Sequence, residues 1–188
     1  MQLIQDMLFE RQDYAINALS KGEYENCTFN ACNFASADII GIVFTECTFT
    51  DCNFSMANTK GAAFKEVVFN NCKMTGMNFS ICEPFLLAMN FKECQLNLAS
   101  FYNLKLKSTR FTKCILHETD MVQTDFTGAS FTDCDLRGAI FENTILEKAD
   151  FKSAINYTID PEANRIKKAK FSLQGLPGLL HKYSIDIS

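Results

Sequence analysis

The chain has 188 residues, 22 acidic against 18 basic side chains and a formal charge of −4, so by length it is one domain. A pI near 5.2 argues against direct binding of nucleic acid. No apolar run is long enough to span a bilayer, and the opening MQLIQDMLFERQDY lacks the basic n-region and apolar core of a secretory signal. A cytoplasmic protein with no membrane partner is expected.

In chain order, residues 1–12 read as an N-terminal cap, a short turn or helix. From Tyr24 a large apolar residue recurs at every fifth position: Phe29, Phe34, Ile39, Phe44, Phe49, Phe54 and onward to Phe79. Only Thr59 breaks the rule, and the Lys60-Gly61 that follows it predicts a local bend in the wall. The count slips by two residues at Ser80–Phe85 (SICEPF) and is expected to resume at Leu86, then Phe91, Leu96, Phe101 and every fifth residue to Phe151. Two residues before each anchor stands a mostly small side chain, often Cys or Ala.

A period of five fits neither the 3.6 of a helix nor the 2 of a strand. It implies short extended segments with a turn at each pentapeptide, wound into a coil whose neighbours bury one another's interior. Like residues recur at twenty, as in Phe91, Phe111, Phe131, Phe151 and Phe171, or Cys94, Cys114 and Cys134. Four pentapeptides per coil make a four-sided solenoid of roughly seven coils, about 35 Å long at ~4.8 Å per rung. The register break, which includes Glu83 and Pro84, reads either as a projecting binding loop or as a bulge that corrects twist.

The last segment is predicted as a cap. Ser172 is a candidate helix N-cap, with Leu173, Leu176, Leu179 and Leu180 at helical spacing through about Lys182; Ile185 and Ile187 would alternate as a terminal strand. So apolar a cap also predicts self-association, with Leu173, Leu176, Leu179, Leu180, Tyr183 and Ile185 as the interface of a homodimer.

No catalytic constellation emerges. His117 and His181 are the only histidines, neither with a nucleophile at a suggestive spacing, and the eight glycines are scattered rather than gathered in a phosphate loop. The nine cysteines sit at the small interior position, where sulfur acts as an apolar filler. Their spacing suits neither a zinc site nor bridging. Neither an enzyme nor a cofactor or metal is expected.

The [A/C]-[D/N/x]-[F/L]-x-x pattern, as in CTFNACNF, CTFTDCNF and ASFTDCDLRGAIF, resembles the pentapeptide-repeat family across about residues 13–171. That resemblance implies an all-β fold, a right-handed quadrilateral β-helix; the handedness comes from it alone. The DY…LS.G.Y..C.F approach and the DP…NRI ending resemble Qnr-type quinolone-resistance proteins and, at the ending, the immunity protein against a gyrase-poisoning microcin. The implied function is non-enzymatic: a partial DNA mimic that binds DNA gyrase or topoisomerase IV and protects it from quinolones or a peptide toxin, dimerising through its C-terminal end. The long projecting loops of Qnr-type proteins are missing. A generic interaction scaffold with a different protein partner is the alternative.

Charge bears on this choice. Residues 1–59 carry eight acids against two bases and residues 114–151 the same, while 60–113 carry three acids against eight bases and 152–188 three against six. Duplex DNA of rod length would show roughly twenty charges, so any mimicry has to be local, on the acidic blocks. Glu118, Asp120, Asp125, Asp133 and Asp135, with Glu83 and Pro84, are the candidate partner-binding residues.

Overall fold

The computed structural model describes residues 2–186. Strands β1 (Gln2–Gln5), β3 (Gly22–Glu25), β5 (Val43–Thr45) and β7 (Ala63–Lys65) pair in parallel as one sheet. Strands β2 (Leu8–Glu10), β4 (Thr28–Asn30), β6 (Thr48–Thr50), β8 (Val67–Asn70), β9 (Met89–Lys92), β10 (Arg110–Thr112) and β11 (Ser130–Thr132) form a second parallel sheet of seven. Isolated parallel bridges at steps of twenty, such as Asp13↔Asn33↔Asn53 and Ser100↔Asp120↔Ile140, complete two further walls. The chain is a right-handed quadrilateral β-helix with one short C-terminal helix. We number the walls I to IV in chain order, by their inward anchors Tyr24, Phe29, Phe34 and Ile39.

Burial follows the fivefold rule. Phe29, Phe34, Phe44, Phe49 and Phe54 are fully enclosed. On wall II the rings Phe9, Phe29, Phe49, Phe69, Phe91, Phe111, Phe131, Phe151 and Phe171 stack in one file, with centroids 4.6 to 5.4 Å apart. That spacing is the strand separation itself, so the backbone ladder sets the ring stack. Neighbouring walls meet edge to face, as for Phe91 and Phe101 at 5.9 Å and 73°.

The second interior position is chosen for more than size. Cys47 Sγ donates to the Tyr24 carbonyl of the coil before it at 3.2 Å. Thr124 Oγ1 donates to Phe101 O at 2.7 Å, and Thr144 Oγ1 to Met121 O at 2.9 Å. Cysteine and threonine thus fill one role, a small side chain whose hydrogen is donated to a buried carbonyl of the coil before it; for Phe101 O and Met121 O this adds to the turn bond from Leu104 N and Thr124 N. Thr59 solves the same problem at an anchor slot: it is fully buried and its hydroxyl donates to the Asn78 carbonyl. The wall runs through it in register, Asp38 opposite Asn58 and Phe44 opposite Phe64, so no bend is needed. Burial pushes the Cys47 and Cys82 thiols up to about 12, and groups that stay protonated at neutral pH are poor nucleophiles.

Four further expectations are corrected. Residues 1–12 form no helix; β1 and β2 are already the first coil, paired with β3 and β4. The register does not resume at Leu86, which is 63% exposed at φ +58°. After a 3-10 turn at Phe79–Ile81, whose start is capped by Asn78 Oδ1 accepting from Ser80 N at 2.9 Å, the two extra residues and Pro84 carry the chain outward. Leu87 settles half-buried against the core, and stacking returns only at Phe91. The C-terminal helix is shorter than the Leu spacing predicts: Ser172–Leu176 is a turn, α1 spans Pro177–Leu180, and a 3-10 turn covers His181–Tyr183. Pro177 at the first helical position and the small Gly175 and Gly178 restrict it. Ile185 is not in a strand, and Ile187 lies outside the described residues.

Candidate interaction surface

The interior is filled by side chains, so what the rod can do lies on its walls, its corners and its ends. Outward positions on each wall flank the anchor. The residue before the anchor is often Asp or Asn because its side chain serves the backbone. Asp120 Oδ1 accepts from Val122 N at 3.1 Å, Asp125 Oδ1 from Thr127 N at 3.0 Å, and Asp135 Oδ1 from Arg137 N at 3.2 Å. Each is an Asx-turn that tightens the way into the next corner. Corners lie two residues after the anchor at positive φ, as in Glu118 (53°) and Asp133 (54°). The flanking ladder holds them there, since the left-handed region costs a non-glycine residue on the order of 1 kcal/mol.

Winding scatters the candidate carboxylates. Asp125 belongs to wall I, Asp135 to wall III and Asp120 to wall IV, while Asp133 and Glu118 sit on the corners either side of wall III. Asp135 Oδ2 lies 2.8 Å from His117 Nε2, whose Nδ1 is 3.0 Å from Arg137; Asp125 pairs with Lys107 at 3.4 Å. Glu83 and Pro84 stand apart from all five, in the loop of wall I. Walls III and IV towards the C-terminal end carry Glu118, Asp120 and Asp135 of these, together with Glu142, Asp160 and Glu162. Sequence blocks hid this group, because neighbours on a wall are twenty residues apart.

Burial works against the charged forms of Asp125 and Asp135. Hydrogen bonds from Thr127 and Lys107 to the first, and from Asn156 and His117 to the second, more than offset it, and both pKa values lie below the ordinary 3.8. A depressed folded pKa adds stability above the unfolded value, and that stability is lost as pH falls through the folded value. The melting temperature is therefore expected to hold from neutral pH to about 4 and to fall below it. In the double variant Asp125→Asn/Asp135→Asn that acid-side fall should be shallower, as followed by circular dichroism. An identical acid limb in variant and parent would contradict the assignment.

The C-terminal end presents Leu173 (79% exposed), Leu176 (40%), Tyr183 and Ile185 to solvent, with Leu180 half-buried. Leu179 instead packs on the core. Lys182 fastens this cap to the last coil through Asp160 at 2.8 Å and Glu162 at 2.6 Å, and Tyr183 Oη donates to Glu162 at 3.0 Å. These bonds, from Lys182 first, hold both carboxyl pKa values below the ordinary range. No group of His, Cys, Asp and Glu among the described residues is arranged to hold a metal ion, and no helix there is long and apolar enough to cross a membrane.

A family model described as a pentapeptide repeat region matches residues 42–118 and 85–151, more than half of the chain. The chain belongs to the pentapeptide-repeat family. No curated protein matches the sequence. Among solved structures, a trypsin-treated form of QnrB1, a plasmid-mediated fluoroquinolone resistance protein, superposes with a TM-score of 0.63 at 14% identity over 100% of both chains. Full-length QnrB1 gives 0.54 at 17%, over 98% of this chain and 100% of that one. HetL, a pentapeptide-repeat protein involved in heterocyst differentiation regulation from the cyanobacterium Nostoc, gives 0.52 at 14%, over 92% and 87%. At these identities the likeness is one of fold, and it extends from the first coil to the cap of this pentapeptide-repeat rod.

Proposed function

We propose that this pentapeptide-repeat protein is a non-enzymatic, cytoplasmic topoisomerase-binding protein that protects DNA gyrase or topoisomerase IV from quinolones or a peptide toxin. The observation that carries the reading is end-to-end correspondence with QnrB1, a fluoroquinolone resistance protein, over all of both chains. The acidic group on walls III and IV supports it. Glu118, Asp120 and Glu142 offer carboxylates outside any ion pair among the described residues, beside Asp135, Asp160 and Glu162, which His117 and Lys182 hold, over one end of a rod whose net charge is only −4. This is local mimicry of a polyanion rather than a DNA-like surface throughout. The exposed Leu173, Leu176, Tyr183 and Ile185 support a tail-to-tail homodimer that would double the length of the rod.

The test is gyrase supercoiling with purified protein at micromolar levels. Relief of ciprofloxacin inhibition, or inhibition of supercoiling by the protein itself, is the expected result, weakened severalfold by Glu118→Lys/Glu142→Lys. Neither effect at any concentration would remove the reading. The second reading, a scaffold for a different protein partner, draws on the likeness to HetL and on the exposed loop at residues 83–86.

A further inference from the structure

Wall I is built differently from the other three. Its lower part carries Leu3, Glu23, Val43 and Ala63 in register, and its upper part Lys105, Asp125, Ile145 and Arg165. The rung between them is missing, because the chain from Pro84 to Leu86 loops out where an anchor between Phe64 and Leu106 would stand, while Glu83 N and Ala88 N on either side still donate to Ala62 O and Phe64 O of the coil below. The loop closes against both parts: Leu86 and Leu87 line a pocket with Thr45, Glu46, Lys65 and Glu66, and Pro84 and Phe85 one with Asn103, Leu104 and Lys105. Four rungs thus lie below the loop and four above it, and the loop sits at the middle of the wall.

Charge divides at the same point. The lower part and its corner carry Asp6, Glu23, Glu25, Glu46 and Glu66 against the single base Lys65. None of these acids is in an ion pair among the described residues. The upper part carries Lys105, Lys107, Lys148, Arg165, Lys167 and Lys168. Its two acids are already matched, Asp125 by Lys107 at 3.4 Å and Glu147 by Arg165 at 2.7 Å. At the centre Phe85 is 67% exposed, with Leu86 and Ile81 also open to solvent.

An acidic half, an apolar centre and a basic half in a row are self-complementary under one operation. A two-fold axis through the loop, perpendicular to the rod, lays a second copy antiparallel on wall I. Glu66 then faces Lys105 and Lys107 of the other copy, Glu23 and Glu25 face Lys148, and Asp6 faces Arg165, Lys167 and Lys168. Parallel packing would set like charge on like. Two-fold contacts require that a patch fit itself, and charge pairing of this kind sets register and orientation more than raw affinity. We infer that wall I is a lateral, antiparallel interface for a second copy of this chain, with Phe85 and Leu86 at the two-fold axis and the acidic and basic halves pairing outward from it. A wall about 40 Å tall and roughly 12 Å wide buries on the order of 500 Å² per copy, below the usual size of a stable interface. The pair should therefore be reversible and sensitive to salt. It is separate from the apolar C-terminal end and does not depend on the topoisomerase reading.

The experiment uses the full chain with Leu173→Asp/Leu176→Asp, which takes the C-terminal end out of play, in sedimentation equilibrium at micromolar concentration. Dimer is expected at about 20 mM salt, with at least roughly tenfold weaker association at about 0.5 M, where the Debye length falls below 5 Å. Glu23→Lys/Glu46→Lys/Glu66→Lys alone, and Lys105→Glu/Lys148→Glu/Lys168→Glu alone, should each be monomeric while keeping the parent circular dichroism. Mixed in equal amounts they should form a heterodimer, and Phe85→Ser should weaken both the parent pair and this one. A parent that stays monomeric at low salt overturns the inference. So does a dimer indifferent to salt and to both sets of reversals.

Discussion

Replacing Phe91 by alanine is expected to cost about 3 to 5 kcal/mol, the range for truncating a large buried aromatic side chain. Phe91 is 1% exposed and stacked between Phe69 at 5.4 Å and Phe111 at 5.0 Å. It also meets Phe79 and Phe101 edge to face at 5.8 and 5.9 Å. Its position makes the loss larger in consequence than in area. The ladder of wall I is interrupted at this level, so among the described residues the backbone bonds that join the lower coils to the upper ones are those of walls II, III and IV. A solenoid is held together by nearest-neighbour contacts, and a cavity at the one rung where a wall is already missing weakens the coupling of its halves. Urea unfolding followed by far-ultraviolet circular dichroism should show a lower midpoint and a broader, two-step transition. Phe91→Leu should recover most of the loss and the single step. A loss below about 1 kcal/mol, with one sharp transition, would mean that the ring file does not tie the two halves together.

Gly178→Ala should unseat the C-terminal cap while leaving the coils intact, at a cost of about 1 to 3 kcal/mol for forcing atoms into a filled site. A Cβ at Gly178 would overlap the Tyr157 carbonyl oxygen and lie 2.9 Å from the Tyr157 ring. Tyr157 cannot yield easily, because it is buried and packs on Phe151 and Phe171, each at 5.7 Å. The Gly178 carbonyl also accepts from Ile159 N at 3.0 Å, so separation breaks a backbone bond that seats the cap. Limited proteolysis should cut the variant within residues 172–186 at a protein concentration where the parent resists, with far-ultraviolet dichroism nearly unchanged. Equal resistance of variant and parent would show that the cap is held by other contacts, the Lys182 pairs foremost.

Much of the fold is legible because a solenoid makes tertiary position a function of residue number. The fivefold apolar spacing and the match at twenty place Phe111 over Phe91 by counting alone, and the two rings are indeed stacked. Legibility fails where the chain leaves the period. Leu86 has the marks of an anchor, being apolar and five before Phe91, but nothing local records that Pro84 and the two extra residues push it into solvent. Leu173 and Leu176 match a helical spacing, yet Pro177, Gly175 and Gly178 give that segment a different shape against Tyr157. Thr124 and Thr144 depart from Cys or Ala at the small interior position, and only the stacking of coils shows why: each hydroxyl caps a carbonyl of the coil before it.

The candidate surface is less legible than the core for a related reason. Reading along the chain puts Glu118, Asp120, Asp125, Asp133 and Asp135 in one acidic block, whereas winding turns a corner every five residues, sends Asp125 to wall I and spreads the other four over walls III and IV and their corners. By itself the sequence determined the repeat and the interior files, because burial acts on each pentapeptide alike. Only the tertiary structure decided which charges share a wall, where that wall is broken and what the loop exposes. Those depend on residues twenty or more apart being brought side by side at the spacing of a β-rung.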